Sequence, residues 1–365
     1  MKFKVNKKAI AKHISIVQKA ISNRTTLPIL EGIKIVANHN IITLTATDSE
    51  TAIKTSFPAI VEEEGTIVVN SRLFGDIIRK LPDDIIAIEV SNYNMNILCS
   101  NSEFNIQCQN SEEFPDLPNL GDIKNLKINA NDFKDAIRKT SFAVSLDETR
   151  ATLTGVLMDI VDSKITFVAL DGFRMALKKI SIDSNINTKA IIPARNCNDL
   201  IKIIEDDVID IDIEIGINII KFDLGDTIFY ANLLGSEFFQ YEGLIKDNYK
   251  INSKVKKSDF QSSLERASLL AKEDRANLVK LSVSEDIIEI RSNSEIGSSM
   301  EIVPAETMGG ELDIAFNSKY IIEGLKNLES DEITLSFTDS VNPTIIREID
   351  DNSYIYLVLP VRLAN

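Results

Sequence analysis

Residues 7–21 read KKAIAKHISIVQKAI, and residues 130–144, 123 positions later, read ANDFKDAIRKTSFAV. At about 100° per residue, Ile10, Ile14, Val17 and Ile21 fall on one helical stripe about 60° wide. Lys8, Lys12, Ser15 and Lys19 form a second stripe about 160° away, so one face packs and the other is polar and cationic. In the later segment Phe133, Ile137 and Val144 make the apolar stripe, with Lys134, Arg138, Ser141 and Ser145 as a neighbouring polar one.

The correspondence extends outward at the same offset. Leu30 and Gly32 recur as Leu153 and Gly155, Asp48 as Asp171, and Arg72, Ile77 and Ile78 as Arg195, Leu200 and Ile201. A third copy follows with drift. Phe260, Leu264, Ala267 and Ala271 repeat the first helix, Asp286–Ile290 repeats Lys164–Val168, and Phe316–Leu325 repeats Ile192–Ile201. A solenoid repeat has about 20–50 residues, so this longer period is that of a domain. The chain therefore reads as three copies of one domain, at 1–122, 123–250 and 251–365. Turn-rich links run over residues 115–121 and 246–250.

Each copy carries two helices among strands with period-two alternation, as in Ile41–Thr47, Ile209–Ile215 and Glu332–Phe337. That pattern predicts an α+β fold built mainly of antiparallel sheet. The second helix of each copy begins with a cation, at Arg72, Arg195 and Lys319, and Arg79 and Lys80 extend the first of these. The third copy is weaker, because Glu265 stands beside Gln261 and Ser268.

The formal net charge of −15 argues against phosphate binding if taken as a sum. Its distribution argues otherwise. Residues 1–30 hold Lys2, Lys4, Lys7, Lys8, Lys12, Lys19 and Arg24 and no acid, while acids cluster at residues 62–64, 205–214, 329–332 and 348–351. Such segregation can line a concavity with one sign. There is no base-reading motif and no Trp, so any DNA contact is expected to be with phosphates, without sequence preference.

Several function classes are disfavoured. No GxxxxGK[ST], GxGxxG or GxSxG occurs, so an enzyme is not expected. Asp171 with Arg174 could be an acid and its orienting group. Its counterpart Asp48 ends an equivalent strand, which favours a structural turn. Cys99, Cys108 and Cys197 form no CxxC pair and, with His13 and His39, build no zinc site of standard spacing. They read as free thiols. No metal or cofactor is expected. No apolar run approaches the roughly 18 residues of a membrane helix, and the lysine-rich start lacks an apolar signal core. A cytoplasmic protein is the expectation, with an acidic interaction scaffold that never touches DNA as the alternative function.

Four motifs carry a family resemblance. Asn23–Leu30 (NRTTLPIL), Asp147–Gly155 (DETRATLTG), Ala169–Ala176 (ALDGFRMA) and Leu357–Leu363 (LVLPVRL) resemble signatures of the bacterial DNA polymerase III β subunits, the sliding clamps. The match runs through all three copies. It implies a crescent of three clamp domains, two crescents closing head-to-tail into a homodimeric ring, and twelve helices lining the hole. The implied partners are encircled double-stranded DNA, a second copy, the polymerase III catalytic subunit and other clamp-binding proteins, and a clamp-loader ATPase. By the resemblance Arg24, Arg72 and Arg195 would contact DNA, and the helix stripes add Lys12, Arg79 and Arg138.

A partner pocket between the second and third domains is also implied. Its residues here would be Leu153, Leu170, Gly172, Phe173, Arg174, Met175, Leu244, Val358, Leu359, Pro360, Val361 and Arg362. An apolar concave surface with a few polar groups suits a short peptide with Leu and Phe anchors. Phe239 stands where the family usually has Pro, Phe173 where His is common, and Pro343 where a small residue is expected. The ring interface would set Phe104 and Ile106 against Leu269 and Leu270, covering an edge strand.

Overall fold

The computed structural model describes residues 1–22, 27–235, 237–245, 248–272, 277–349 and 351–362. Among these are six α-helices: α1 (Lys7–Val17), α2 (Ser71–Lys80), α3 (Ala130–Ser141), α4 (Ala194–Ile203), α5 (Lys257–Ala271) and α6 (Ser318–Leu325). The rest is antiparallel sheet and loop, the expected α+β arrangement. Asparagine opens three of them, α1, α2 and α6. The Asn6 side chain accepts from Lys8 N–H at 2.9 Å, Asn70 from Leu73 N–H at 3.0 Å and Asn317 from Lys319 N–H at 3.0 Å. Each such cap satisfies a backbone donor that the helix leaves open.

The chain forms two compact units, residues 1–130 with 199–233, and residues 131–198 with 234–365. Sheet continuity produces them. In the first unit Thr227–Asn232 of the second copy pairs antiparallel with Thr51–Pro58 of the first, with Phe229 opposite Ile53. In the second, Arg174–Ser181 pairs with Tyr354–Val358, with Met175 opposite Leu357. An edge strand of one copy is thereby covered by a strand of the next.

In α1, Ile10, Ile14 and Val17 are buried and Lys8, Lys12 and Ser15 are exposed, as the stripe requires. The α-helix stops at Val17, and a 3₁₀ turn, Gln18–Ala20, completes the segment. The polar stripe read onto the second copy is not one surface. Arg138 is exposed, but Lys134, Ser141 and Ser145 are buried. The helix ends at Ser141, whose hydroxyl donates to Asn198 Oδ1 at 2.9 Å, so a helical projection carried to Ser145 overran the helix. Cys99, Cys108 and Cys197 are free and buried. Burial pushes the Cys108 thiol up to about 11.

One glycine is fixed by close approach. A Cβ on Gly324 of α6 would stand 2.0 Å from the Tyr356 ring, while the Tyr356 hydroxyl donates to Tyr320 O at 2.7 Å. Gly at this helical position, normally unfavourable, lets α6 lie directly on the terminal strand.

Candidate functional site

Two features carry the sequence-derived expectations: helix faces with cations, and an apolar cluster beside a polar turn in the second unit. The helix starts come first. Arg72, Arg195 and Lys319 each occupy the second residue of their helix, and all three are exposed. A cation there opposes the helix dipole, a placement costing about 0.3–1 kcal/mol that an arriving anion would reverse. Arg72 and Arg138 have no ion-pair partner among the described residues. Lys12 and Arg79 do: Lys12 Nζ lies 2.6 Å from Glu205, and Arg79 lies 2.7 Å from Asp76 and donates to Gln18 at 2.9 Å. Arg24 lies outside the described residues.

The charge segregation along the chain is partly undone in space. Lys2 and Lys4 reach Glu62, Lys8 reaches Asp83 at 2.6 Å, and Lys19 reaches Asp199 at 4.0 Å. A sequence reading sees blocks of charge but not the long-range packing that sets an acid beside each of these lysines.

In the second unit Leu153, Leu170, Met175 and Leu244 join one apolar cluster. Leu170 and Met175 form its buried floor, while Leu153 and Leu244 are half-buried at its surface. Around them pack Leu157, Val168, Leu177, Tyr241, Ile345 and Ile355, with Leu234 and Phe238 partly open. The Tyr241 hydroxyl donates to Asp159 at 3.2 Å and anchors the link across the sheet; burial first, then Asp159, raises its pKa. Tyr241, Phe238 and Ile345 were missed as cleft residues. The only signal was the aromatic run at 238–241.

The polar end is the turn at residues 171–174. Asp171 Oδ1 accepts the N–H groups of Phe173 and Arg174 at 2.9 and 3.0 Å, and Oδ2 accepts Arg174 Nε at 3.0 Å. Arg174 is buried, also donates to Glu323 and to Phe142 O, and lies 4.9 Å over the Tyr320 ring. Gly172 takes φ +91°, which a side chain would resist. Phe173 is exposed and stacks on Tyr320 at 5.8 Å. The terminal segment is tied to the same turn: Leu359 N–H donates to Phe173 O at 2.8 Å. Leu359, Pro360 and Val361 are half-buried and Arg362 exposed, whereas Val358 is a core residue of the terminal strand. Half-buried apolar side chains thus lie in the same unit as one charged turn held by several hydrogen bonds. Among the described residues no group of His, Cys, Asp or Glu is placed to hold a metal, and no helix is long and apolar enough to cross a membrane.

Models of the DNA polymerase III beta subunit match in order along the chain: its N-terminal domain over residues 1–118, its central domain over 127–240 and its C-terminal domain over 243–362. The chain belongs to the DNA polymerase III beta subunit family. It is 37% identical to the beta sliding clamp of Bacillus subtilis (strain 168), with 99% of this chain and all of that one aligned. The crystal structure of the B. subtilis DNA polymerase sliding clamp superposes with a TM-score of 0.96 over the whole of both chains. The sliding clamp of Pseudomonas aeruginosa bound to griselimycin is 25% identical, with a TM-score of 0.95 and both chains fully covered. The protein is thus a bacterial sliding clamp of DNA replication, a processivity factor and not an enzyme.

This clamp exposes two open strand edges. Ser102–Gln109 pairs along its length with Asn94–Cys99, but meets Gly65–Asn70 only at Val69–Cys108 and Val68–Gln109. Residues 103–107 therefore lack a second strand partner among the described residues. In the other unit Gly297–Pro304 pairs with Ile287–Ser294 on one side, and a second strand, Asn252–Val255, is met only from Ala305 to Met308. Apolar side chains accompany both edges. Phe104 is 40% exposed, Met300 57%, Ile302 54% and, on α5, Leu269 65%. Ile106 is buried within its own unit and Leu270 is half-buried. Exposed apolar edges of this kind invite another chain.

Proposed function

We propose that two copies of the chain close a ring around duplex DNA through these edges, with Phe104 and Ile106 of one copy against Leu269 and Leu270 of the other. Met300 and Ile302 join that contact. Phosphates meet Arg72, Arg138, Arg195 and, from the family resemblance, Arg24; Lys12 and Arg79 contribute less because Glu205 and Asp76 already hold them. The carrying observation is the exposed cation at the second residue of α2, α4 and α6. Non-specific phosphate contact, much of it through water, lets the ring slide, and topology retains it. A clamp-loader ATPase opens it, acting in the bacterial cytoplasm on nucleoid DNA.

The three copies at 1–122, 123–250 and 251–365 act as the clamp domains. The cleft around Leu153, Leu170, Gly172, Phe173, Arg174, Met175 and Leu244, closed by residues 358–362, takes a Leu- and Phe-anchored peptide of the polymerase catalytic subunit or another clamp-binding protein. Val358 acts there through the backbone of the terminal strand.

Retention on nicked circular DNA, lost on linearisation, tests encirclement; equal retention on both would leave only the scaffold reading. For the cleft, removing residues 360–365 should abolish binding of a polymerase-derived peptide, and unchanged binding would refute the placement. The solution mass should be near twice 40.7 kDa.

A further inference from the structure

The repeat sets a second sheet face in the place of the cleft. In the second unit Leu157, Val168 and Leu177 stand side by side on three adjacent strands. At the 123-residue offset, their counterparts in the first unit are Lys34, Thr45 and Lys54, and these too are in register, Lys34 opposite Thr45 and Thr45 opposite Lys54. The crossing links correspond as well. Phe238 packs beside Leu153 and Ile191, and Phe114 packs beside Leu30 and Val68, which are the same positions of the sheet.

The first-unit face is concave. Lys34, Thr43, Thr45 and Lys54 form its floor, and Phe114 and Leu117 its wall, around a space of about 300 Å³. Its chemistry is inverted, with two cations and one hydroxyl where the other copy has two leucines and a valine. Lys34 lies 5.6 Å from the Phe114 ring centre. Neither lysine has an acid partner among the described residues, and both are half-buried. Lys2, Lys4, Lys8, Lys12 and Lys19 of the same unit all reach carboxylates. The one carboxylate lining the space is Asp116, exposed at its rim.

Two unmatched cations on a half-buried floor, in a protein of net charge −15, are a site of charge complementarity. We propose that this groove is a second peptide-docking site, which takes an extended acidic segment of a partner protein. Two carboxylates of the segment sit on Lys34 and Lys54, and one aliphatic side chain lies against Phe114 and Leu117. The proposal goes beyond the cleft reading and does not depend on it: the two grooves would discriminate partners by charge.

The test is fluorescence anisotropy of the full-length protein with a labelled peptide Ser-Glu-Leu-Asp-Glu-Ile-Ser, against its Gln/Asn-matched control. Saturable binding of the acidic peptide only is expected. Lys34→Glu with Lys54→Glu should weaken it roughly tenfold or more, because each reversal turns attraction into repulsion. The triple change Lys34→Leu, Thr45→Val and Lys54→Leu, which copies the apolar floor, should abolish it. Unchanged thermal midpoints would show that the variants fold. Equal binding of the amide control, or no effect of the charge reversals, overturns the proposal. So does a loss in Arg72→Ala matching that of the reversals, which would place the peptide on the helix cations. If the reversals reduce retention on circular DNA as Arg72→Ala does, the groove faces phosphate and the peptide site is refuted.

Discussion

Asp48 and Asp171, one repeat apart, close the same turn in two copies of the domain. Asp48 Oδ1 accepts the N–H groups of Glu50 and Thr51 at 3.1 and 2.7 Å, as Asp171 Oδ1 does for Phe173 and Arg174. The residue after each aspartate has positive φ, +77° at Ser49 and +91° at Gly172. Asp171 holds one thing more, the buried Arg174. Asp48→Ala should therefore cost about 1–3 kcal/mol, and Asp171→Ala more, since it also strips a partner from a buried cation. Ser49→Gly should be neutral or stabilise by up to about 1 kcal/mol. Urea midpoints check all three, and an Asp171→Ala effect no larger than that of Asp48→Ala would contradict the added role.

His13 gives a pH dependence. Its ring is buried, with Nδ1 2.7 Å from Thr55 Oγ1, stacked on Phe57 at 4.4 Å, and Thr55 in turn lies 2.7 Å from Thr227. Burial first, then Lys12, lowers its pKa below 6.5, against weaker opposition from Asp226 and Glu205. The unfolded chain then binds the proton more readily. Stability from this group is full above pH 6.5 and declines as the pH falls below it. His13→Phe should flatten the slope of unfolding free energy between about pH 6.5 and 5. An unaltered slope would remove His13 as its source.

Asp351 acts at lower pH. Burial opposes its charge, but Ser353 and Lys178 outweigh that and hold it at about 2, below its ordinary 3.8. Lys178 Nζ lies 2.9 Å from Asp351 and donates to Ser353 at 2.7 Å. The folded-state pKa is depressed, so this contribution is present above pH 3.8 and lost as the pH falls toward 2. Asp351→Asn should lower the thermal midpoint at pH 6 and narrow the gap from wild type at pH 2. A constant gap across that range would exclude the linkage.

The helix cations should differ in salt dependence. Removing an unpaired phosphate-binding cation reduces the slope of log affinity against log salt by about 0.9. Arg72→Ala and Arg138→Ala should each show such a loss for duplex DNA. Lys12→Ala should show less, because Glu205 competes for it at 2.6 Å. Equal losses at Lys12 and Arg72 would mean that the Lys12–Glu205 pair opens on DNA.

The sequence alone determined the threefold repeat, the α+β class and the helix faces. These follow from local periodicity: an amphipathic helix must turn Ile10, Ile14 and Val17 inward wherever it packs, and Asp48 and Asp171 report the same turn from spacing alone. Tertiary structure decided which cations stay free, because the acids opposite Lys8, Lys12 and Lys19 come from other elements and their placement is set by long-range packing. It also decided that Lys134 is buried although it lies in a polar stripe, that Tyr241 and Phe238 join the apolar cluster of Leu170 and Met175, and that Lys34, Thr45 and Lys54 make one row. A row across three strands is a property of register, and register appears only when strands distant in sequence are paired.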